Sequence, residues 1–309
     1  MLCSHPRNGL LAAGDRSYPS VAAFVAGLSD HGWTPGRNCE LDAAFAEARH
    51  DRLPALARGI AQRRPDVIAA IGAVAFFALR ETVPEVPVVF GIVLDAVEAG
   101  LVSRADRPGG RATGATSFDP AQAVLQVELL RRVLPGLQRL GILGDAAVPP
   151  ILAQRATAAA EAVGLRPDVR LLTGPDDVPI AIESLRAEGA QALLVLEVPR
   201  TSTHASLIVA RAHAAGLPTL AGRDLAKASP LLAFGTSFAS ATRRMASHVD
   251  RILRGARPGE LPVDTVAERQ LIVDEVAARQ LRVDVPADVL AMARTDVGFD
   301  DAGRPPPRS

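Results

Sequence analysis

The side chains best suited to chemistry are thinly spread along this chain. Six histidines, His5, His31, His50, His204, His213 and His248, fall mostly on expected helix ends or polar faces. His204 with nearby Ser206 comes nearest to a general base beside a nucleophile, but residues so close on a helix do not face each other, and a solvated histidine is the simpler reading. His31 precedes Gly32, where its cation would complement a helix C-terminus. Cys3 and Cys39 are the only cysteines, without metal-ligand spacing and too few for a disulfide framework. A single bond, or a small strand residue at Cys39, are the open readings. Gly109, Gly110 and Gly114 lack the spacing and the helix start of a dinucleotide loop, so a turn is expected there. No P-loop, nucleophile elbow, HExxH or zinc-spaced cysteine pair occurs. These residues point away from catalysis, and no metal or cofactor is implied.

Bulk composition narrows the partners. Lys plus Arg equals Asp plus Glu at 34 each, so no long-range positive field draws the chain to nucleic acid or to an anionic membrane. Lys227 is the only lysine, which removes most lysine-based mechanisms. Hydrophobic residues make up 48% and charged residues 22%, enough apolar surface for a folded core. No apolar run approaches the ~20 residues that span a bilayer. At 309 residues, two lobes of roughly 120 to 150 residues are expected.

The elements that must position any site follow from periodicity. Short runs rich in Val, Ile and Leu, each ending in Gly or a small polar residue, alternate with segments of helical period, which is βαβ alternation. Strands are expected at Gly9 to Ala13, Asp66 to Ile71, Val86 to Val93, Leu140 to Leu143, Ala192 to Leu196, Pro218 to Leu220, Leu232 to Phe234 and Gln270 to Val273, apolar on both sides as in a buried parallel sheet. Helices are expected at Pro19 to His31, Arg52 to Arg64, Pro120 to Leu134, Pro149 to Val163, Val178 to Glu188, Thr203 to Ala215 and Ala239 to Leu253. Asp51, Asp119 and Ser202 stand at cap positions, Pro120 fits a first turn, and Gly32, Gly164, Gly189 and Gly216 stand where helices end. The alternation pauses at Arg104 to Ser117, the first candidate crossing between lobes. Others fall at Phe234 to Phe238 and near Arg257 to Thr265. Lobe 1 is thus 1–116 with about 237–262, lobe 2 is 117–236 with about 263–290, and 291–309 is a partly disordered tail, frayed from about Asp300 like Met1 to Arg7 at the other end.

Motifs in order along the chain carry a family resemblance. Phe24-x-x-Gly27-Leu28-x-x-x-Gly32-Trp33-x-x-Gly36-Arg37-Asn38 is followed by Asp51 to Ala57, Pro65 to Ile68 with Gly72, Pro87 to Phe90 with Asp95, Ala99 to Val102, Arg107 to Gly110 and Thr113-Gly114. Later come Glu128 to Leu130, Leu134 to Gly136, Gly216 to Thr219 and Val249 to Pro258. In order and spacing this resembles the ABC-transporter substrate-binding proteins related to tryptophan and tyrosine uptake, over roughly residues 9 to 290. The resemblance implies an α/β fold of the type I periplasmic-binding-protein kind: two Rossmann-like, doubly wound parallel-sheet lobes joined by a three-segment hinge and closing on a ligand in the cleft.

Open α/β sheets bind ligands beyond the carboxyl ends of their strands, beside exposed helix N-termini. Carried onto this sequence, the ligand-binding candidates are Gly14, Asp15, Gly72, Ala73, Asp95, Thr116, Ser117, Asp145, Glu197, Arg223, Asp224 and Thr236. Thr116, Ser117, Thr236 or amides near Gly72 suit a carboxylate, and Asp95 or Glu197 an ammonium. Plainer roles stand beside these: Asp95, Asp119 and Asp224 as helix caps, Arg223 in an interlobe salt bridge, Thr236 and Ser237 as hinge and N-cap, and Phe118 and Phe234 as packing residues. Ala96 after Asp95, and Gly144-Asp145-Ala146, depart from the Pro and Asn-Pro that such proteins commonly carry. With one Trp and one Tyr, few rings are available to stack on an aromatic ligand, and Trp33 is expected to pack on the lobe surface.

The function implied is the solute-binding component of an ABC importer, a non-enzyme and a monomer. It would capture a small polar metabolite, an amino acid or related carboxylate, and hand it to a membrane permease. Alternatives are an intracellular ligand-sensing module and an enzyme on a doubly wound fold. The family implies a periplasmic location, yet Met1 to Arg7 shows no charged region followed by an apolar export stretch. The two expectations are a start downstream of the true one, favoured by the short polar lead into the first strand, and a member that stays inside the cell.

Overall fold

Runs that are apolar on both faces need cover on both sides, and in the computed structural model they find it in parallel sheets sandwiched by helices. Residues 5–16, 19–93, 95–117, 119, 121–266 and 268–295 are described. They divide into two compact units, residues up to 117 with 237–266, and 119–236 with 268–295.

The first unit contains β1 (Arg7–Ala12), α1 (Pro19–Asp30), β2 (Glu40–Phe45), α2 (Leu53–Gln62), β3 (Val67–Ile71), α3 (Ala73–Thr82), β4 (Val88–Gly91) and β5 (Ala112–Thr116). The second contains α4 (Gln122–Val133), β6 (Arg139–Asp145), α5 (Ile151–Ala162), β7 (Arg166–Leu172), α6 (Asp177–Ala187), β8 (Ala192–Val195), α7 (Pro199–Thr203), α8 (Ala205–Ala214), β9 (Thr219–Ala221) and β10 (Leu232–Thr236). The chain then returns to the first unit for α9 (Phe238–Leu253) and β11 (Asp264–Thr265), and to the second for β12 (Arg269–Val273), α10 (Glu275–Leu281) and α11 (Ala287–Thr295).

The two sheets share one order: β2-β1-β3-β4-β5-β11 in the first unit and β7-β6-β8-β9-β10-β12 in the second. Every pairing in the first sheet is parallel. In the second, β12 runs antiparallel to β10, Leu232 opposite Val273, which corrects the parallel expectation for the strand at Gln270 to Val273 alone. Strand residues alternate between faces. Leu10, Val67, Ala69 and Val89 pack with Phe24 and Leu28 of α1 and Met245 and Val249 of α9. Leu11, Ile68, Ala70 and Phe90 pack with Ala57 and Ile60 of α2 and Phe76 and Leu79 of α3. In the second unit Leu140, Ile142, Leu194 and Leu220 join Leu130 of α4 and Ala156 of α5. At about 1.5–3 kcal/mol per buried large apolar side chain, these three clusters are the main stabilising term.

Several expectations shift. Residues 112–116, inside the stretch read as a crossing, form the interior strand β5; its Ala/Thr/Gly composition hides it among turn residues. The edge strands β2 and β7 are half-buried and so lack an apolar run. Cys39 sits fully buried one residue before β2, a free thiol bridged through its backbone to Pro35, and burial raises its pKa. The boundary placed near 262 falls later, because β11 pairs with β5 of the first unit. Helix α11 runs to Thr295, into the segment read as tail. Gly32, Gly164, Gly189 and Gly216 do end helices, with φ of 86°, 79°, 88° and 71°. Asp51, Asp119 and Ser202 are not helix N-caps: those positions fall to Arg52, Ala121 and Val198. Phe118, Pro120 and the ends Met1 to Ser4 and 296–309 lie outside the described residues.

Candidate functional site

Parallel strands bring their carboxyl ends to one edge of each sheet. In both sheets the chain runs outward from the first strand to its neighbour and then crosses back to the other side, so the loops after β1 and β3, and after β6 and β8, diverge. Such a switch point leaves a crevice at the carboxyl edge, where ligands of open α/β sheets sit.

In the first unit the switch point is flanked by Gly14 and Asp15 after β1 and by Gly72 and Ala73 after β3. The half-buried Gly14 accepts the Glu47 amide at 3.1 Å, fastening the β1 loop to the exit of β2. Gly72 takes φ +97°, a conformation open to glycine, and starts α3, whose N-terminus has no side-chain cap and no acidic residue in its first turn. Ile92, just after β4, holds φ +55°. For a β-branched residue that is strained by about 1–3 kcal/mol, a feature that gathers at functional edges.

The remaining first-unit candidates make internal bonds. Asp95 Oδ1 accepts the amides of Val97 (2.8 Å) and Glu98 (3.0 Å), the capping role in a turn. Thr116 Oγ1 lies 3.3 Å from the Asp264 carbonyl and 3.2 Å from Thr265 Oγ1, joining β5 to β11. The Ser117 amide donates to the Val93 carbonyl at 3.3 Å.

In the second unit the switch point lies between Asp145, the last residue of β6, and Glu197, two residues past β8. Asp145 is wholly buried. Its Oδ1 accepts Arg200 Nη1 at 2.8 Å and the Ala147 amide at 2.9 Å, and its Oδ2 accepts the Arg200 amide at 3.1 Å. Glu197 is nearly buried and rests against Gly222, where a Cβ would stand 1.9 Å from Glu197 Oε2. Only glycine leaves that carboxylate its place.

Further along this edge Arg223 pairs with Asp224 at 2.9 Å and donates through Nε to Gln270 Oε1, so its salt bridge is made within its own unit and not across lobes. The Thr236 amide donates to Gln122 Oε1 at 3.2 Å. Ser237 caps α9 by accepting the Ser240 amide at 3.1 Å, and Phe234 packs in the core. Asp119 is gripped by two nitrogens of Arg269, Nη2 at 2.7 Å; those bonds hold its carboxyl below the usual range against the opposing effect of burial.

Sequence reasoning placed residues at both switch points but missed Arg200, Gln122, Arg269 and Gln270. Arg200 precedes the helix expected from Thr203, whereas α7 begins at Pro199. Trp33 is partly buried on its unit, its Nε1 donating to Asp250 Oδ1 of α9 at 2.8 Å. Among the described residues no three His, Cys, Asp or Glu side chains are grouped to hold a metal, and no helix is long and apolar enough to cross a membrane.

The ABC transporter substrate binding protein family matches residues 11–297, nearly the whole chain. The chain belongs to that family. As an ABC transporter substrate binding protein it is similar to a tyrosine-binding protein of Clostridioides difficile, 27% identical over 120 residues; the match covers 39% of this chain and spans 34% of that relative's length. Among solved structures, a conserved domain protein of Vibrio cholerae matches with a TM-score of 0.87 at 23% identity, covering 94% of this chain and 99% of that one. A Streptococcus pneumoniae domain in complex with L-Trp matches with a TM-score of 0.84 at 19% identity, covering 94% and 99%. An Agrobacterium vitis ABC transporter solute binding protein with bound allitol matches with a TM-score of 0.64 at 14% identity, covering 90% and 98%. These likenesses show the shared α/β fold of two sheet-and-helix units.

Proposed function

We propose that this chain captures an amino acid or related carboxylate outside the cytoplasm and presents it, unaltered and as a monomer, to an ABC permease. The observation carrying the ligand class is the contrast between the two switch points. One offers amides at an uncapped helix start, Gly72 and Ala73; the other offers a nearly buried carboxylate, Glu197. The first suits a ligand carboxylate and the second an ammonium. Gly14 and Asp15 border the first site, while Asp145, Arg223, Asp224, Thr236, Asp95, Thr116 and Ser117 shape the edges around the ligand chiefly through the bonds described above. Capture follows if the ligand binds better when both units engage it, since differential affinity shifts the equilibrium toward closure. A tyrosine-binding relative and an L-Trp complex support the amino-acid class; the fold neighbour with bound allitol marks the competing one.

The test is a thermal-shift screen of the purified chain against amino acids, organic acids, sugars and polyols, since a ligand bound only to the native state raises Tm by mass action. A concentration-dependent rise with an amino acid recovered intact is expected. A rise with sugars alone overturns the ligand class, and conversion of the ligand overturns the non-enzymatic reading.

A further inference from the structure

Arg200 stands at the second unit's switch point without a role in the reading above. Its side chain is only 16% exposed, and its carboxylate partner, Asp145, has no exposed side-chain surface at all. Three bonds fix it. Nη1 donates to Asp145 Oδ1 at 2.8 Å and to the Leu172 carbonyl at 3.2 Å, and the Arg200 amide donates to Asp145 Oδ2 at 3.1 Å. Asp145 is anchored in turn as the last residue of β6 and by the Ala147 amide. Arg200 therefore projects from the start of α7 on a rigid base formed by the ends of β6 and β7.

The other side of the guanidinium is different. Nε and Nη2 have no hydrogen-bond partner among the described residues, and neither is sealed from solvent. Both keep access to solvent, so a ligand can take the place of water on them. The Nε/Nη2 edge is also the edge that takes a carboxylate by two parallel bonds. Asp145, by contrast, has both oxygens engaged by the backbone and by Arg200, so it orients and does not itself receive a ligand cation.

We infer that Arg200, locked in place by Asp145, reads a carboxylate of the cargo through its Nε/Nη2 edge, and that the cargo of this protein is therefore a carboxylate and not a sugar or polyol. The inference rests on the capture reading and deepens it. It adds to the first-unit amides at Gly72 and Ala73 a second-unit side chain that shares the cargo carboxylate, a group the sequence pattern did not mark.

The test is titration calorimetry on the full chain with the twenty L-amino acids, succinate and benzoate. Each ligand that binds is compared with its counterpart lacking the carboxylate, such as tyramine for L-tyrosine. The wild type, Arg200→Gln and Arg200→Lys are measured side by side, with the ligand-free Tm of each. Expected is binding of a carboxylate probe that Arg200→Gln weakens by about 30-fold or more and Arg200→Lys by about 5- to 10-fold, with the carboxylate-free counterpart bound weakly and equally by wild type and variants. Should Arg200→Gln fail to fold, Arg200→Lys, which keeps the cation beside Asp145, decides alone. A lowered Tm with carboxylate affinity within about twofold of wild type would show a purely structural pair and overturn the inference while leaving capture intact. Equal affinity for carboxylate and counterpart, or binding of sugars and polyols only in a parallel screen, overturns it too. If no probe of any class binds the wild type, the capture reading itself fails and the inference with it.

Discussion

The buried carboxylates Asp145, Asp224 and Asp119 of the second unit are held by Arg200, Arg223 and Arg269. Glu197 packs against Gly222, where a Cβ would stand 1.9 Å from its Oε2. If Glu197 receives the ligand ammonium, Glu197→Gln removes a charge-assisted bond worth about 1.5–3 kcal/mol and weakens an amino-acid ligand about 10- to 100-fold by calorimetry. Gly222→Ala places a Cβ where Oε2 now sits, so the same affinity loss is expected together with a lowered Tm, because overpacking costs about 1–3 kcal/mol. Unchanged affinity in Glu197→Gln would remove Glu197 from the site. For Asp119 the consequence is pH-dependent. Its folded pKa is lowered by Arg269, so its stabilisation is present above the unfolded value of about 3.9 and is lost as pH falls through the folded value. Asp119→Asn is expected to cost about 1–3 kcal/mol at pH 7 in urea unfolding, with the gap to wild type closing below about pH 4. A gap that persists at pH 2 would mean the ion pair is not its source.

At the scale of elements, α9 carries a second titrating contact. His248 is buried against β11, its Nε2 3.3 Å from Asp264 Oδ2, with Arg251 on the same helix and the Gly114 backbone of β5 also facing it. Burial lowers its pKa and outweighs the opposing pull of Asp264. The unfolded chain therefore binds a proton more readily than the folded one, so stability is full above about pH 6.5 and declines as pH falls toward the folded value. His248→Gln is expected to flatten the drop in stability between pH 7 and pH 5, measured by denaturant unfolding at both. An unchanged drop would assign it to other groups such as His213, whose pKa burial also lowers. How legible an element was depended on how one-sided its burial is. Strands β3, β6 and β8 are apolar on both faces and were readable as runs. Edge strands β2 and β7 put charged residues such as Glu40, Asp42 and Arg170 at exposed or half-exposed positions, which breaks the run. Helix α3 was missed because Ala73 to Leu79 is apolar nearly all round, so a 3.6-residue stripe does not stand out. The candidate site was legible as positions after strands, because glycines and small polar residues mark those ends. Its pairings were not, since Asp145 and Arg200, or Asp119 and Arg269, are joined only by the folded topology.

For the whole molecule, the two sheets share one strand order and each unit holds its own apolar clusters. The chain nevertheless passes between them more than once, with α9 and β11 returning to the first unit and β12, α10 and α11 to the second. Neither unit is a continuous stretch, so cutting the chain at one boundary cannot liberate a complete domain, and the intact protein is the object to melt. Ligand-free calorimetry is expected to depart from two-state behaviour, with a van't Hoff enthalpy below the calorimetric one, as chains with more than one core commonly do. The effect of a saturating ligand then separates two ways of binding. A ligand gripped by groups of both units, the first-unit amides at Gly72 and Ala73 and the second-unit side chains Glu197 and Arg200, stabilises both by mass action, so the two components shift upward together and the enthalpy ratio moves toward one. A ligand held by one unit alone raises one component and leaves the other where it was. That second outcome would refute capture by closure even with binding intact, since a ligand with no differential affinity for the closed arrangement has no means of stabilising it.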